Sequence, residues 1–298
     1  MTTYGVHAGL QKVSTDELQG FWRHIESLGF GWISIWDHFY AADMTGDATC
    51  LEAVSTHAAL ALATTKVRCG SLVYSVGYRH PAVLANAIAT IDHLSGGRVD
   101  VGIGAGWSQL EYDAYGIPFP SVGTRMDQLE EGIQVLRGLL HDETTTFEGK
   151  WFNVRDARNE PRPVQAKVPI WVGGAGEKRT LRIAAQHADG WNVPFVPPEE
   201  FARLRGVLHR HCEDVGRDPS EIRCTVNVGM AFTDESLALQ FGRMKEYVRP
   251  GVLFGSEQQI LDRAGEYVDA GAEQINIAVR TPFEPDALER FAKAMQLS

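Results

Sequence analysis

Short apolar runs alternate along the chain with longer stretches in which apolar residues recur every three or four positions. The runs predict eight strands: Tyr4–Leu10, Trp32–Trp36, Arg68–Val73, Val99–Ile103, Ile170–Val172, Gly190–Val193, Arg223–Val228 and Gln274–Val279. The stretches between them carry helix start signals. Ser14 followed by Glu17 predicts a capping box before a helix that ends near Leu28. Thr124 precedes Met126–Leu140, where Leu129, Ile133, Leu136 and Leu140 fall at helical spacing. Ser256 opens Ile260–Ala270, and Pro285 starts a final helix through Leu297. Gly29 and Gly271 stand just past helix ends, ahead of the next strand.

Strands alternating with helices imply a parallel sheet, and eight repeats imply closure into an α/β fold of the (β/α)8 TIM barrel type, one domain over residues 1–298. An open dinucleotide-binding sheet requires G-x-G-x-x-G after its first strand, where this chain has Gln11-Lys12-Val13. Gly102-Ile103-Gly104-Ala105-Gly106 comes late and runs into Trp107 with no immediate helix. The longest departure from alternation is His141–Lys167, an insertion between helix 4 and strand 5. Within it Phe147–Phe152 reads as a hairpin turning on Glu148-Gly149, and the excursion is expected to be a lid, a subunit contact or both. There is no internal repeat, low-complexity segment or domain linker.

Composition narrows the function. The 44% hydrophobic content supports a sizeable core, and a net charge of −10 argues against nucleic acid or an anionic membrane as partner. A small-molecule substrate is the expected partner, and any anionic ligand needs a local device to hold it. Cys50, Cys69, Cys212 and Cys224 have no metal or redox spacing and read as reduced thiols. With no leader-like segment and no apolar run near 18 residues, a cytoplasmic protein is expected.

In such a barrel the chemistry gathers at the C-terminal ends of the strands. Strand 2 ends in Asp37-His38, a carboxylate and imidazole that can exchange protons near neutral pH; the plainer reading is a turn cap and a satisfied histidine. Strand 3 leads to Arg79-His80-Pro81, where the cations either face the mouth or are simply solvated. Strand 4 ends in Gly104-Ala105-Gly106-Trp107, small enough for a flat ring to approach the backbone, with Glu111 as a candidate acid or base; the alternative is a shaped turn with Trp107 packed beneath a loop. Strand 5 runs into Gly173-Gly174-Ala175-Gly176-Glu177-Lys178-Arg179 before a helix. This is either an anion cradle of backbone amides or a tight connection.

Taken together these segments resemble the luciferase-like flavin and deazaflavin oxidoreductases, over nearly the whole chain. The most specific portion is His80-Pro81 through Leu94-Ser95-Gly96-Gly97-Arg98-Val99, then Gly102–Trp107 with Glu111-Tyr112. Tyr115–Phe119, Val172–Lys178 and Ala188-Asp189-Gly190-Trp191-Asn192 extend it. Among subgroups the combination is most similar to the branch that uses coenzyme F420, a deazaflavin. The resemblance implies that Asp37 and His38 contact the cofactor ring and handle protons. It also implies a cis peptide at Ser71–Leu72 in a bulge backing the ring, and a phosphate site at Gly173–Gly176. The expected cofactor contacts are Asp37, Ser71, Leu72, Tyr74, Trp107, Gly173, Gly174, Ala175, Gly176 and Glu177. Trp107 and Leu110 replace a glutamate and an asparagine of the family's sugar-phosphate dehydrogenases, which disfavours that substrate and leaves Glu111 as the substitute catalytic carboxylate. Ala42 replaces a frequent aromatic and opens room for a different substrate.

The expected function is hydride transfer between coenzyme F420 and a small organic substrate, with catalytic His38, Asp37 and Glu111. The alternative is an FMN-dependent monooxygenase of the same superfamily. A metal-dependent barrel hydrolase is disfavoured because His7-Ala8-Gly9 lacks a His-x-His pair, so no metal site is expected. A non-catalytic flavin-binding protein would keep the glycine loop without electron transfer. The resemblance further implies a homodimer joined through barrel helices.

Overall fold

The computed structural model describes residues 2–43 and 45–297. Its eight barrel strands are β1 (Thr3–Ala8), β2 (Trp32–Ile35), β3 (Arg68–Ser71), β4 (Val99–Gly104), β5 (Ile170–Gly173), β6 (Gly190–Pro194), β7 (Arg223–Ala231) and β8 (Gln274–Val279). Each pairs in parallel with the next, and β8 pairs with β1, so the sheet closes. The barrel helices are α1 (Thr15–Ser27), α2 (Ala53–Ala63), α3 (Pro81–Ser95), α4 (Val122–His141), α5 (Thr180–His187), α6 (Pro198–Val215), α7 (Glu257–Asp269) and α8 (Pro285–Ala294). All eight expected runs are barrel strands, because strands buried on both faces appear as continuous apolar runs bounded by turn residues.

Local chemistry explains the helix boundaries. Ser14 Oγ accepts the Glu17 amide at the start of α1, and Ser256 with Gln259 completes a reciprocal capping box at α7. The fourth helix begins earlier than its apolar spacing suggests. Ser121 is its cap, and Thr124 supplies the amide that Ser121 Oγ accepts. Pro81 opens α3 behind His80, whose Nδ1 accepts the Ala82 amide.

The Ser95–Arg98 motif serves the barrel's opposite, N-terminal end. Arg98 donates to the carbonyls of Ala61, Thr64 and Val67, tying the end of α2 to the start of β4. Nearby, buried Asp100 accepts from Trp32 Nε1 and from the Arg68 guanidinium. The Asp100 carboxylate and the Arg98 guanidinium are thus satisfied and stabilise the closed end.

β3 is interrupted at its C-terminal end, where Leu72–Val73 is a cis peptide; Tyr74-Ser75 then resumes pairing, with Ile103 and Gly104. The cis bond therefore lies one residue beyond the expected Ser71–Leu72. Ser71 remains in register with Ile35, and the Leu72 amide still donates to the Ile35 carbonyl at 2.8 Å. The β2–β3 ladder holds through that linkage, so the irregularity begins only after it.

The 141–167 excursion forms a hairpin of Thr145–Glu148 and Asn153–Ala157. Its turn spans Gly149–Phe152, closed by a 3.0 Å bond from the Gly149 amide to the Phe152 carbonyl, rather than centring on Glu148-Gly149. Glu131 of α4 accepts the amides of Lys150, Trp151 and Phe152 at 2.8–3.0 Å. Asn159 bonds to the carbonyls of Ala85 and Leu139. Fastened to α3 and α4, the hairpin contributes no residue to the cavity at the strand ends and is not its lid. A different insertion takes that place. Between β7 and the short strand Val252–Phe254, which pairs with the end of β7, the segment containing Asp234–Phe241 and Lys245–Val248 brings Met244 and Tyr247 to the cavity. No helix among the described residues is long and apolar enough to cross a membrane.

Candidate active site

A mainly apolar cavity of about 380 Å³ opens at the C-terminal ends of the strands, within the size range usual for small-molecule sites. One wall is built by the β3 bulge. Val73 projects between the ends of β4 and β5: a Cβ on Gly104 would lie 2.7 Å from Val73 Cγ2, and one on Gly173 would lie 2.8 Å from Val73 Cγ1. Glycine is thus required at both positions so that the bulge can seat. The close approach expected of a ligand ring at Gly104 is made by the protein's own valine, and Leu72 and Val73 present an apolar face to the cavity.

His38 stands at the end of β2 beside this wall. Its Nδ1 lies 3.0 and 2.9 Å from the two oxygens of Glu111, which also accept the amides of Phe39 and Tyr40 (2.9 Å each) and the Tyr78 hydroxyl (2.6 Å). Burial of Glu111 would raise its carboxyl. The hydrogen bond and charge of His38, then the Tyr78 hydroxyl and Tyr40 amide, outweigh that and hold it at about 2. Glu111 is therefore an acceptor only, and Nδ1 of His38 must carry a proton. That leaves Nε2 to exchange protons with a ligand. Trp36 and Trp107 flank the imidazole edge-on, with centroids at 5.9 and 5.4 Å. Trp107 is half exposed at the mouth.

Asp37 is positioned differently from its neighbour. Both of its oxygens are held by Arg79, at 2.6 and 3.0 Å, and Oδ2 also accepts the Ser75 amide beyond the bulge. Arg79 spends its charge on this carboxylate and on Glu52 rather than offering a free cation at the mouth. The Asp37–Arg79 pair braces the bulge against β2, and Asp37 lines the cavity with its charge neutralised.

Of the expected cofactor contacts, Asp37, Leu72, Trp107, Gly173 and Gly174 line the cavity together with His38. Ser71 and Tyr74 do not. Ser71 Oγ is bonded to the amide and carbonyl of Gly102 in the β3–β4 seam, and buried Tyr74 turns its hydroxyl to His57 Nδ1 at 2.9 Å. At the bulge Leu72 lines the cavity as expected and Val73 joins it, while Ser71 and Tyr74 turn away. Ala175, Gly176 and Glu177 lie further along the loop, toward the N-terminus of α5, which no side chain caps. The Gly174 amide is already donated to the Asn192 carbonyl, so the loop offers fewer free amides than its glycines suggest. Exposed Glu177 pairs with Arg203. Arg179 pairs with Asp127 and Glu130, whereas Lys178 and Arg182 form no ion pair among the described residues.

Sequence reasoning missed the far side of the cavity. His7 on β1 shares a 2.8 Å hydrogen bond with Ser34 Oγ, and burial, then the charges of Arg280 and His38, push it down to about 3, so it is neutral. Asn227, Ala278 and Arg280 from β7 and β8, with Phe195, Met244 and Tyr247, complete this side. No group of three His, Cys, Asp or Glu able to hold a metal occurs among the described residues.

The residues fit a flat heteroaromatic cofactor. The wall at Leu72-Val73 is apolar, Asp37 at the cavity is neutralised by Arg79, and the glycine loop leads from the cavity to an uncapped helix start. The family model described as luciferase-like monooxygenase matches residues 1–241. An F420-dependent glucose-6-phosphate dehydrogenase of Microbacterium testaceum is 32% identical over 80% of this chain and 70% of its own length. An uncharacterised protein of Mycobacterium tuberculosis is 32% identical over 76% of each chain. Among solved structures, an F420-dependent secondary alcohol dehydrogenase in complex with an F420–acetone adduct superposes with a TM-score of 0.88 at 19% identity, covering 99% of this chain and 98% of that one. A long-chain alkane monooxygenase superposes at 0.80 with 14% identity, covering 99% and 91%.

Proposed function

The chain belongs to the luciferase-like monooxygenase family and is an oxidoreductase, and from its site we propose that it transfers hydride between the deazaflavin coenzyme F420 and a small organic substrate. The observation that carries this reading is the His38–Glu111 pair, set beside an apolar wall with one imidazole nitrogen directed away from the carboxylate. Relatives 32% and 30% identical that carry the name F420-dependent glucose-6-phosphate dehydrogenase support the choice of cofactor.

Leu72, Val73, Gly173 and Gly174 would hold the cofactor, its ring against the bulge and its phosphate toward the start of α5. When bound, the deazaflavin supplies a carbon centre that takes or gives hydride and reacts poorly with oxygen. The protein's own part is positioning and proton handling. His38 Nε2 takes a proton from a substrate hydroxyl during oxidation, or returns one to a carbonyl oxygen during reduction. Glu111 fixes the imidazole by its Nδ1 and stabilises the cation formed when Nε2 is protonated. Trp107 and Trp36 shield the imidazole and limit water at the reacting atoms. Asp37 holds Arg79 and the bulge and so sets the ring's seat.

The identity of the cofactor decides between this reading and an FMN-dependent monooxygenase. Protein produced in an F420-making host and then denatured should release a glutamate-tailed deazaflavin, identified by mass spectrometry. Release of FMN alone would establish the monooxygenase instead.

A further inference from the structure

Arg280 follows β8 inside the cavity, 6% exposed and facing the region between His7, Trp36 and Phe241. Its guanidinium carbon lies 5.2 Å from the Trp36 ring centroid and 4.6 Å from that of Phe241. Its backbone is held by a 3.0 Å bond from its amide to Gln240 Oε1. Its side chain has nothing comparable. Among the described residues Nε and Nη1 are buried without a hydrogen-bond partner, and no carboxylate comes within 4 Å of the group. Asp43, the acidic residue whose charge it senses, is taken up by Lys12 at 2.7 Å. Burial pushes the guanidinium down to about 10, with Asp43 opposing, which leaves it a cation throughout the neutral range.

A buried cation with no counter-charge is costly, and two aromatic faces offset only part of that cost. Such a group is expected where a ligand completes it. The barrel order separates it from the cofactor's seat: the bulge and glycine loop occupy the β2–β5 arc, whereas β7, β8 and β1 form the opposite arc. On that side the lining combines Met244 and Tyr247 of the β7 insertion and Phe195 after β6 with polar Asn227 and neutral His7.

We propose that Arg280 recognises a carboxylate on the substrate, so that the enzyme acts on a small organic acid whose apolar portion packs on Phe195, Met244 and Tyr247. This rests on the hydride-transfer reading for what happens to the substrate, but not for how it binds. Arginine's planar fork donates two parallel bonds to a carboxylate, which a primary amide of the same shape cannot accept equally. The carboxylate then anchors the substrate on one side of the cavity while His38 addresses its reacting oxygen on the other.

Hexanoate and hexanamide serve as probes in calorimetric titrations at pH 8, with cofactor-free, F420-loaded and FMN-loaded protein. Wild type should bind the acid at least tenfold more tightly than the amide. Arg280→Gln should abolish that preference while leaving F420 affinity within threefold, and Arg280→Lys should keep part of it. Equal binding of the two probes by wild type overturns the proposal even if Arg280→Gln does not fold. A preference that survives in folded Arg280→Gln, or a tenfold loss of F420 affinity there with the preference intact, also overturns it and gives the cation to the cofactor. Failure of wild type to bind F420, with acid preference retained, would refute the cofactor reading and leave this one standing.

Discussion

Replacing Glu111 by glutamine tests the arrangement around His38 at a single atom pair. The wild-type carboxylate accepts four hydrogen bonds, from His38, Phe39, Tyr40 and Tyr78. The amide oxygen can keep the two backbone donors and the 3.0 Å branch of the His38 bond, but the amide nitrogen removes the other branch and forces the Tyr78 hydroxyl to turn from donor to acceptor. Weakening the His38 bond and exchanging a charge-assisted Tyr78 bond for a neutral one should destabilise the protein by about 1–3 kcal/mol. Catalysis should suffer separately, because the neutral amide no longer orients the imidazole or stabilises its cation. A loss of about 10²–10⁴ in turnover is expected. The pH dependence carries its own sign. The folded carboxyl, at about 2, lies below its ordinary 4.5, so the unfolded chain binds more protons between those values. The resulting stability is complete above about pH 4.5 and lost as pH falls through about 2, a contribution on the order of 3 kcal/mol. Urea unfolding from pH 2.5 to 7, with turnover at pH 7, measures both effects. The reasoning fails if the variant matches wild type in stability and retains its turnover number, or if its acid-side stability loss is as steep.

His38→Ala should lower turnover by about 10²–10⁴ while F420 affinity stays within about threefold, as judged by steady-state kinetics and equilibrium titration. Arg79→Met leaves Asp37 buried without its counter-charge and should cost about 3–5 kcal/mol in denaturant unfolding, whereas exchanging the exposed Arg203 that pairs with Glu177 should cost under about 1 kcal/mol. Gly173→Ala drives a methyl into Val73 and should destabilise by about 1–3 kcal/mol. Val73→Ala in the same chain should recover part of that loss, a coupling that a double-mutant cycle reads directly.

The barrel was legible because strands buried on both faces leave apolar runs at regular intervals, and because Ser14, Ser256 and Pro285 mark helix starts by chemistry a sequence displays. Thr124 misled because Ser121 and Thr124 are both good caps, and which one acts depends on where the chain leaves the preceding loop. The bulge was placed one residue early because Ser71-Leu72-Val73-Tyr74 contains no local marker of register; a backbone bond to Ile35 decides it. Ser71 and Tyr74 turn away from the cavity, Leu72 lines it as expected, and Val73 joins it. Glu111 could be named from its distance along the chain after the strand-4 glycines, but its grip on three consecutive residues of the β2 loop could not. Arg280 was invisible for another reason. In sequence Val279-Arg280-Thr281 looks like a strand meeting solvent, and only the segment carrying Gln240 and Phe241, 40 residues away, buries it. Gly104 at the end of β4 was marked for the close approach of a ligand ring and Gly173 at the end of β5 for an anion cradle, while the group that approaches both is the protein's own Val73.

The central claim is that hydride passes between the deazaflavin and a substrate whose proton His38 handles, without oxygen. It is tested most directly by single turnover of protein loaded with either cofactor and mixed with a panel of small hydroxy, keto and unsaturated acids, with and without oxygen. The account predicts a change in deazaflavin oxidation state equal to product formed, unaffected by removing oxygen and slowed at least a hundredfold in His38→Ala. Product formed only with reduced FMN and oxygen, and carrying an oxygen atom from it, would contradict the account.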